Sequence, residues 1–189
     1  MRITFLFLAL TIVTGACSPT PAPSPTAAPT EPGVTAEAWT LSSPVFKAGG
    51  PIPTKYGCTG QSISPALNWS NPPAGTQSLA LILHDPDAPG GDFVHWVIYH
   101  IAPASGGLNE GVTTISQLPD GTLQGRNGAA STGYVGPCPP SGTHHYIFTM
   151  YALDDALDNL LPGADEDHLL QAMDGHILAQ AELIGTFAK

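Results

Sequence analysis

The chain has 189 residues, which is long enough for one domain with a complete core and additional segments. Its 21 glycines and 20 prolines, together with only 11% charged residues, favour a loop-rich β protein over a helical bundle. The formal net charge of −10 argues against the two functions that need a basic surface, nucleic-acid binding and electrostatic adhesion to an anionic membrane.

Residues 1–16 are predicted to be a lipoprotein signal peptide. Arg2 supplies a positive charge, Ile3–Val13 form an apolar segment too short to anchor stably in a bilayer, and small residues precede Cys17. This order resembles a bacterial lipoprotein signal, in which cleavage leaves Cys17 as the lipidated first residue. The alternative is an ordinary secretory signal, because Thr14 stands where the lipoprotein motif usually has leucine or valine.

Residues 17–35 are predicted to combine the lipidated cysteine with a proline-rich linker. Six prolines lie between positions 19 and 32, interleaved with serine, threonine and alanine. Such a composition favours extended polyproline-like backbone and cannot build a core. We therefore expect a spacer that holds a folded domain, residues 36–189, away from a membrane surface.

Two cysteines remain if Cys17 carries lipid. An exported protein with Cys58 and Cys138 favours one disulfide between them, because export exposes thiols to oxidation. Two buried free thiols are the alternative. A zinc site is less favoured, since neither cysteine belongs to a CxxC pair.

Strands are predicted where apolar, β-branched and aromatic residues cluster between turn signals. In chain order these segments are Trp39–Phe46, Ile63–Trp69, Leu79–Leu83, Phe93–Ile101, Tyr146–Leu153 and Ile177–Ile184. Pro65 indicates an edge position for the second segment. A longer helix is the alternative for the last one.

One late helix is predicted after the acidic run Asp165–Asp167, with Gly175 as its C-terminal cap. The segment Gly106–Gly142 is a long glycine-rich loop, a feature that is usually functional or wrongly assigned. The pattern as a whole predicts a mainly β protein, an antiparallel β-sandwich with one or two peripheral helices.

The candidate site begins in the loop between two predicted core strands. Asp85, Asp87 and Asp92 lie there beside two stiffening prolines, and His95 follows on the next strand. Strict alternation places His95 on one face of that strand with Phe93, Val97, Tyr99 and Ile101. Considered alone, His95 is better explained as a core residue, and Asp92 as a turn residue that accepts backbone N–H groups.

A second group of polar residues favours a ligand pocket. Alternation places His144 and Tyr146 on one face of a later strand. If that face meets the aspartate loop, a polar cluster forms inside apolar walls, as in small-ligand pockets. Its members are Asp85, Asp87, His95, His144 and Tyr146.

These motifs together resemble the phosphatidylethanolamine-binding protein family, in particular its bacterial Raf-kinase-inhibitor-like branch. The resemblance extends from about Tyr56 to Phe187 and rests on an ordered set of short motifs. They are Tyr56-Gly57-Cys58-Thr59-Gly60, Ile63-Ser64-Pro65, Asp85-Pro86-Asp87-Ala88-Pro89, His95-Trp96, and Gly136-Pro137-Cys138-Pro139-Pro140 followed by His144 and Tyr146.

The resemblance implies two packed sheets and a small pocket for phosphate, acetate or the phosphoryl head group of a phospholipid. It implies ligand contacts from Asp85, Asp87, His95, His144 and Tyr146, with Ala88, Pro89, Gly136 and Pro137 as walls. No catalytic residue, cofactor or metal is predicted, because the sequence has no HExxH or HxH spacing and no visible activated nucleophile. Family members often carry arginine at the position of His145.

An anion in so acidic a chain needs local donors. Protonated His95 and His144 can supply them, and backbone N–H groups of the Gly136 loop are expected to add others. Arg126 is a further candidate contact, with a solvated surface role as the alternative.

The predicted function is a non-enzymatic binding module for a small anion or phospholipid head group. The alternatives are an inhibitor or regulator of an envelope protein such as a protease or kinase, and a metal-dependent hydrolase. We expect an exported, membrane-anchored lipoprotein at the outer face of the cytoplasmic membrane or in the periplasm. It would contact the membrane only through its lipid anchor and bind no nucleic acid.

Overall fold

The computed structural model describes residues 39–189. The predicted signal peptide, Cys17, the linker and the boundary at residue 36 lie outside the described residues. Within the described range, two antiparallel sheets and one α-helix confirm the predicted mainly β sandwich. No helix in this range is long and apolar enough to cross a membrane.

Within residues 39–189, eight strands form a five-stranded and a three-stranded sheet. The larger sheet has the order β6-β4-β3-β7-β8 and the smaller sheet the order β1-β2-β5. In chain order the elements are β1 Thr40–Ser42, β2 Leu67–Ser70, β3 Ser78–Asp85, β4 Phe93–Ile101, β5 Gly107–Leu108, β6 Leu123–Gln124, β7 Thr143–Leu153, α1 Glu166–Met173 and β8 Ile177–Ala188.

The central strand β3 is buried on both faces, which explains its continuous apolar sequence. Leu79, Leu81 and Leu83 point into the core between the two sheets. Ala80 and Ile82 alternate with them and point into a second core, where the helix α1 packs on the larger sheet. The end of β3 is therefore held from two sides.

Two strand predictions need correction. The first strand covers only Thr40–Ser42 of the expected Trp39–Phe46. The second begins at Leu67, after Pro65, and lies between β1 and β5, so the predicted edge position is wrong. Pro65 precedes the paired residues, and its missing N–H therefore costs no ladder hydrogen bond.

The C-terminal elements follow their sequence signals. Asp165 caps α1, because its carboxylate accepts the His168 N–H at 3.2 Å. Gly175 has a φ of +80° just after the helix, a conformation that favours glycine. The last segment is the strand β8 and not a longer helix.

The long segment Gly106–Gly142 contains the short strands β5 and β6 and is otherwise irregular but packed. Gln124 is fully buried; its Oε1 accepts from the Trp96 indole at 2.8 Å, and its Nε2 donates to the carbonyls of Thr113 and Ile115. The side-chain amide of Asn127 donates to the Gly133 carbonyl through Nδ2. Side-chain hydrogen bonds thus replace regular pairing and make this segment a wall of the domain.

Candidate functional site

A cavity of about 190 Å³ lies at one end of the larger sheet. It is placed where β3 ends at Asp85 and where β4 and β7 begin, so three neighbouring strands deliver their terminal residues to one point. The lining residues are Asp85, Ala88, Pro89, Phe93, His95, Val135, Gly136, Cys138, Pro139, Pro140 and His144.

A buried, hydrogen-bonded aspartate–histidine pair lies in the wall of this cavity. His144 Nδ1 is 2.8 Å from Asp85 Oδ2, and the two residues are 8% and 4% exposed. The second oxygen, Oδ1, accepts the backbone N–H of Asp87 at 3.0 Å. Since a carboxylate accepts, His144 donates through Nδ1, and this bond fixes the orientation of its ring.

A β-bulge directs His95 into the same cavity. Leu83 pairs with Trp96 and His84 with Val94, so His95 is an extra residue in β4. The His95 ring lies 5.2 Å from the ring of Tyr146 between centroids.

The predicted alternation of β4 is therefore wrong. Val97 and Tyr99 pack in the helix-side core, whereas Trp96, Ile98 and Ile101 pack between the sheets. A second irregularity near His100, whose φ is +57°, moves Ile101 to the other face. His95 meets Tyr146 because of the bulge and not because the two strands share an alternating face.

His95 is held by the long loop. Its Nδ1 donates to the Val135 carbonyl at 2.8 Å, which leaves Nε2 for a ligand. Burial lowers the pKa of His95 below the ordinary value of 6.5, an effect that the hydrogen bond to Val135 and the Asp85 carboxylate offset only in part. The ring is therefore neutral at pH 7, with a lone pair on Nε2.

Tyr146 brings a buried hydroxyl without a hydrogen-bond partner among the described residues. Burial and then the nearby Asp85 carboxylate raise its pKa, so it stays protonated. Asp85 and the backbone of Cys138 are close enough to influence this pKa, but neither forms a well-shaped hydrogen bond with the hydroxyl. A buried donor without a partner needs an explanation, and the Tyr146 ring packs against the ring of His95, which lines the cavity.

Three predicted site residues, Asp87, Tyr146 and Pro137, are not among the lining residues. The Asp87 carboxylate accepts the His145 N–H at 2.8 Å and pairs with the His145 ring at 2.7 Å, both on the surface. It secures the aspartate loop to β7. The carbonyl of Pro137 accepts the Cys58 N–H at 2.9 Å, so Pro137 braces the wall from behind.

The proline-rich wall is fixed by covalent and backbone contacts. Cys58 and Cys138 form a disulfide, with 5.3 Å between their Cα atoms. A Cβ on Gly136 would lie 2.4 Å from the Tyr56 carbonyl oxygen, so only glycine fits. The Gly136 N–H donates to Ser62 Oγ at 3.0 Å, so this one N–H of the loop is already paired.

The family model described as phosphatidylethanolamine-binding protein matches residues 42–188. The chain belongs to this family.

Several relatives support the assignment. A "UPF0098 protein" of Methanothermobacter thermautotrophicus is 50% identical, over 79% of this chain and 98% of the relative. The "Putative lipoprotein LppC" of Mycobacterium tuberculosis is 46% identical, over 84% of this chain and 76% of the relative.

Solved structures agree. The chain resembles a phosphatidylethanolamine-binding protein homologue of Chlamydia trachomatis with a TM-score of 0.74 and 43% identity, and Escherichia coli YbcL with 0.73 and 30%. Each match covers 80% of this chain and 98% of the other.

In this family member, two other candidates lie away from the cavity. Arg126 is exposed and lies beside the acidic residues that begin α1, so it is not a contact of the pocket. Asp92 is 3.4 Å from Nδ1 of His84, whose Nε2 is 2.6 Å from Glu166, on the helix side of the sheet.

Five lining residues were not predicted as ligand contacts: Phe93, Val135, Cys138, Pro139 and Pro140. Phe93 could have been predicted from the sequence, because it begins the strand that carries His95. Cys138, Pro139 and Pro140 could also have been predicted, because they belong to the proline motif of the family resemblance. Val135 could not have been predicted, since only the fold brings its carbonyl to His95.

Two larger cavities among residues 39–189 have no buried ionisable groups in their lining. They have volumes of about 240 and 340 Å³ and lie beside α1 and the loop before it. Among residues 39–189, no three histidine, cysteine, aspartate or glutamate side chains are placed to hold a metal ion.

Proposed function

We propose that this protein is a non-enzymatic binding module whose cavity takes phosphate or a phosphoryl head group at the cell envelope. One observation carries the proposal: a small cavity gathers a buried aspartate–histidine pair and a second buried histidine. The ring of Tyr146, whose hydroxyl has no partner among the described residues, packs against that second histidine. Apolar walls with a few convergent polar groups are typical of small-ligand sites.

The polar groups have complementary tasks toward an anion. The Tyr146 hydroxyl has no partner among the described residues and can donate to a ligand oxygen. His95 and His144 each use Nδ1 for a protein contact and present Nε2. When a ring takes up a proton, Nε2 becomes a donor, so an arriving anion favours the charged ring.

The surroundings of the cavity support binding over catalysis. The one thiol in its lining, that of Cys138, is oxidised in the disulfide, and the lining contains no serine or threonine. The walls are proline and glycine, which hold a fixed shape. The relative named as a lipoprotein supports location at the envelope.

Phosphate titration of the full chain, followed by histidine NMR shifts and calorimetry, tests this proposal. We expect saturable shifts of His95 and His144. His144→Gln should weaken phosphate binding about tenfold or more, because the variant loses a ring that can become cationic.

His145→Gln is the matched control, because His145 is exposed one position along the strand and pairs outside the cavity. It should bind phosphate as the parent does. Equal binding by His144→Gln and His145→Gln, with both folded, contradicts the site assignment. Stoichiometric, tightly bound zinc or iron in the purified protein contradicts the non-enzymatic module and favours a hydrolase.

A further inference from the structure

The segment 134–142, which closes one side of the cavity, is held differently in its two halves. In the first half, residues 134–137, every residue has a hydrogen bond to a distant part of the chain. These bonds join Tyr134 Oη to the Tyr56 carbonyl, the Val135 N–H to the His95 carbonyl, the Gly136 N–H to Ser62 Oγ, and the Cys58 N–H to the Pro137 carbonyl, all at 2.9–3.0 Å. This half of the wall is therefore fixed without help from the disulfide.

The second half, residues 138–142, is called the distal wall below and has few such ties. It contains two prolines, which have no backbone N–H to donate. No well-shaped hydrogen bond joins it to the rest of the described chain, and the Tyr146 hydroxyl approaches the backbone of Cys138 without forming one. Apart from the packing of Pro139, which is buried, the disulfide to Cys58 is what holds this part of the cavity lining.

Cys58, at the other end of the disulfide, lies on a fixed turn. The Gly57 N–H donates to the Thr54 carbonyl at 3.1 Å, and a Cβ on Gly57 would clash with the ring of Phe187, so the turn packs closely on β8. The disulfide therefore joins a fixed turn to a segment with little other support. Its cleavage should free the distal wall and leave residues 134–137 in place.

The disulfide also lies where a reductant can reach it. Cys58 and Cys138 are both exposed residues. Exposed disulfides are more readily reduced than buried structural ones, and they include those that serve regulation. A dithiol needs to attack only one of the two sulfurs, so the chain does not have to unfold for exchange to begin.

We propose that the Cys58–Cys138 disulfide is a reversible exchange site for a dithiol reductant, and that its reduction releases the distal wall and weakens ligand binding in the cavity. The effect on binding rests on the proposed function, whereas the release of the wall does not. In this molecule the disulfide would thus control the site as well as stabilise the fold.

The exchange follows ordinary thiol–disulfide chemistry. One thiolate of the dithiol attacks one cystine sulfur, the sulfur–sulfur bond breaks, and the other cysteine leaves as a thiolate that takes up a proton. The second thiol of the reductant then attacks the mixed disulfide and releases the first cysteine. Two electrons and two protons pass from the dithiol to the cystine, and the dithiol leaves as its own disulfide.

The first test measures access in the full chain, with dithiothreitol as a neutral dithiol. Alkylation and peptide mass spectrometry count the thiols at Cys58 and Cys138 separately from Cys17. We expect reduction in native buffer at a rate that does not change when urea is added below the unfolding transition. A rate that rises with urea in step with global unfolding shows that the disulfide is reached only through the unfolded chain, and it overturns the proposal.

The second test reads the wall without any ligand, through the histidine ring NMR signals. His95 and His144 line the cavity, whereas His168 and His176 lie beside α1 and serve as the control. Reduction should shift the first two signals and leave the second two in place. Four unchanged signals would mean that the wall stays closed, and four changed signals would mean that the chain unfolds as a whole; either result overturns the proposal.

The third test is calorimetry with inorganic phosphate. We expect the reduced protein to bind about tenfold more weakly, because a wall that is closed for only part of the time lowers the apparent affinity by that fraction. By linkage, saturating phosphate should raise the ratio of reduced to oxidised dithiothreitol needed for half-reduction by the same factor. The variant Cys58→Ser with Cys138→Ser should bind as the reduced parent does and should not respond to the dithiol.

The outcomes separate this proposal from the proposed function. Equal phosphate affinity of the oxidised and reduced proteins leaves the proposed function standing and overturns control by the disulfide. If neither form binds phosphate, the proposed function fails and the control of binding falls with it. The histidine signals then still decide whether reduction releases the distal wall.

Discussion

Two neighbouring aspartate–histidine pairs, whose histidines are consecutive residues of β7, have almost the same hydrogen-bond distance. Asp85 and His144 are 2.8 Å apart, and Asp87 and His145 are 2.7 Å apart. The side chains of the first pair are 5% and 10% exposed, whereas those of the second are 41% and 57% exposed. The two pairs therefore differ in solvent exposure, whereas their nitrogen–oxygen distances are nearly equal.

The difference shows that burial decides what such a pair can do. The exposed pair holds the aspartate loop on β7, and hydrogen bonds from His145, its backbone N–H first, lower the pKa of Asp87. Water screens that pair and competes for it. The buried pair cannot exchange its partners for water, so its spare acceptor positions and the second ring nitrogen remain for a ligand.

The cover over the buried pair depends on the disulfide, and its removal should have the largest effect. Cys58→Ser with Cys138→Ser opens a loop with a sequence separation of 80. We expect the free energy of unfolding to fall by about 4 kcal/mol, because the unfolded chain regains that loop entropy. Phosphate affinity should fall too, since Cys138 and its neighbouring prolines line the cavity.

Urea unfolding with and without a thiol reductant provides the control. Reductant should bring the parent down to the stability of the double variant and leave the double variant unchanged. A double variant as stable as the oxidised parent contradicts the prediction.

The next effect separates the two pairs directly. Asp85→Ala leaves His144 and the Asp87 N–H without their acceptor in a buried site. We expect a loss of about 3 kcal/mol in the free energy of unfolding. Asp87→Ala keeps its backbone N–H and breaks only surface contacts, so it should change stability far less. Chemical denaturation of both variants measures the contrast, and equal losses would show that burial does not distinguish the pairs.

A smaller effect concerns the hydroxyl beside the buried pair. Tyr146→Phe should lower phosphate affinity about tenfold, because one hydrogen bond to a charged ligand is lost. The unliganded protein should be no less stable than the parent, since the hydroxyl has no hydrogen bond among the described residues. Calorimetry and thermal unfolding measure the two quantities, and a loss of stability with unchanged affinity would reverse the interpretation.

Local sequence patterns predicted most of the strands, the helix start and the face of β7 that carries His144 and Tyr146. The family resemblance pointed to the proline wall. These features depend on short-range periodicity, capping and motif order, which the sequence contains directly.

The position of His95 could not be predicted from periodicity. Strict alternation places it in the helix-side core with Val97 and Tyr99, and the bulge that reverses it is a property of how β3 and β4 pair. The carbonyl of Val135 and the Ser62 hydroxyl reach the site through an irregular loop of long range. Neither contact leaves a periodic signal.

The smallest expected effect is a pH dependence that belongs to the buried site alone. Burial lowers the pKa of His95 in the folded protein below the value of 6.5 expected in the unfolded chain. As pH falls through 6.5, the unfolded chain therefore takes up a proton that the folded protein refuses, and stability declines toward the lowered pKa. This site can contribute a slope of at most about 1.4 kcal/mol per pH unit.

Urea unfolding between pH 7.5 and 5 measures that slope. His95→Gln should remove it, whereas His145→Gln, at the exposed pair, should leave it in place. The charges of Asp85 and Asp92 raise the pKa of His95, whereas burial and His144 lower it. The slope therefore measures the net effect of these groups on the pKa of His95. Saturating phosphate should flatten the slope in the parent, because a bound anion favours the protonated ring. A parent slope that is identical in His95→Gln would mean that the burial of His95 does not govern the acid sensitivity of the fold.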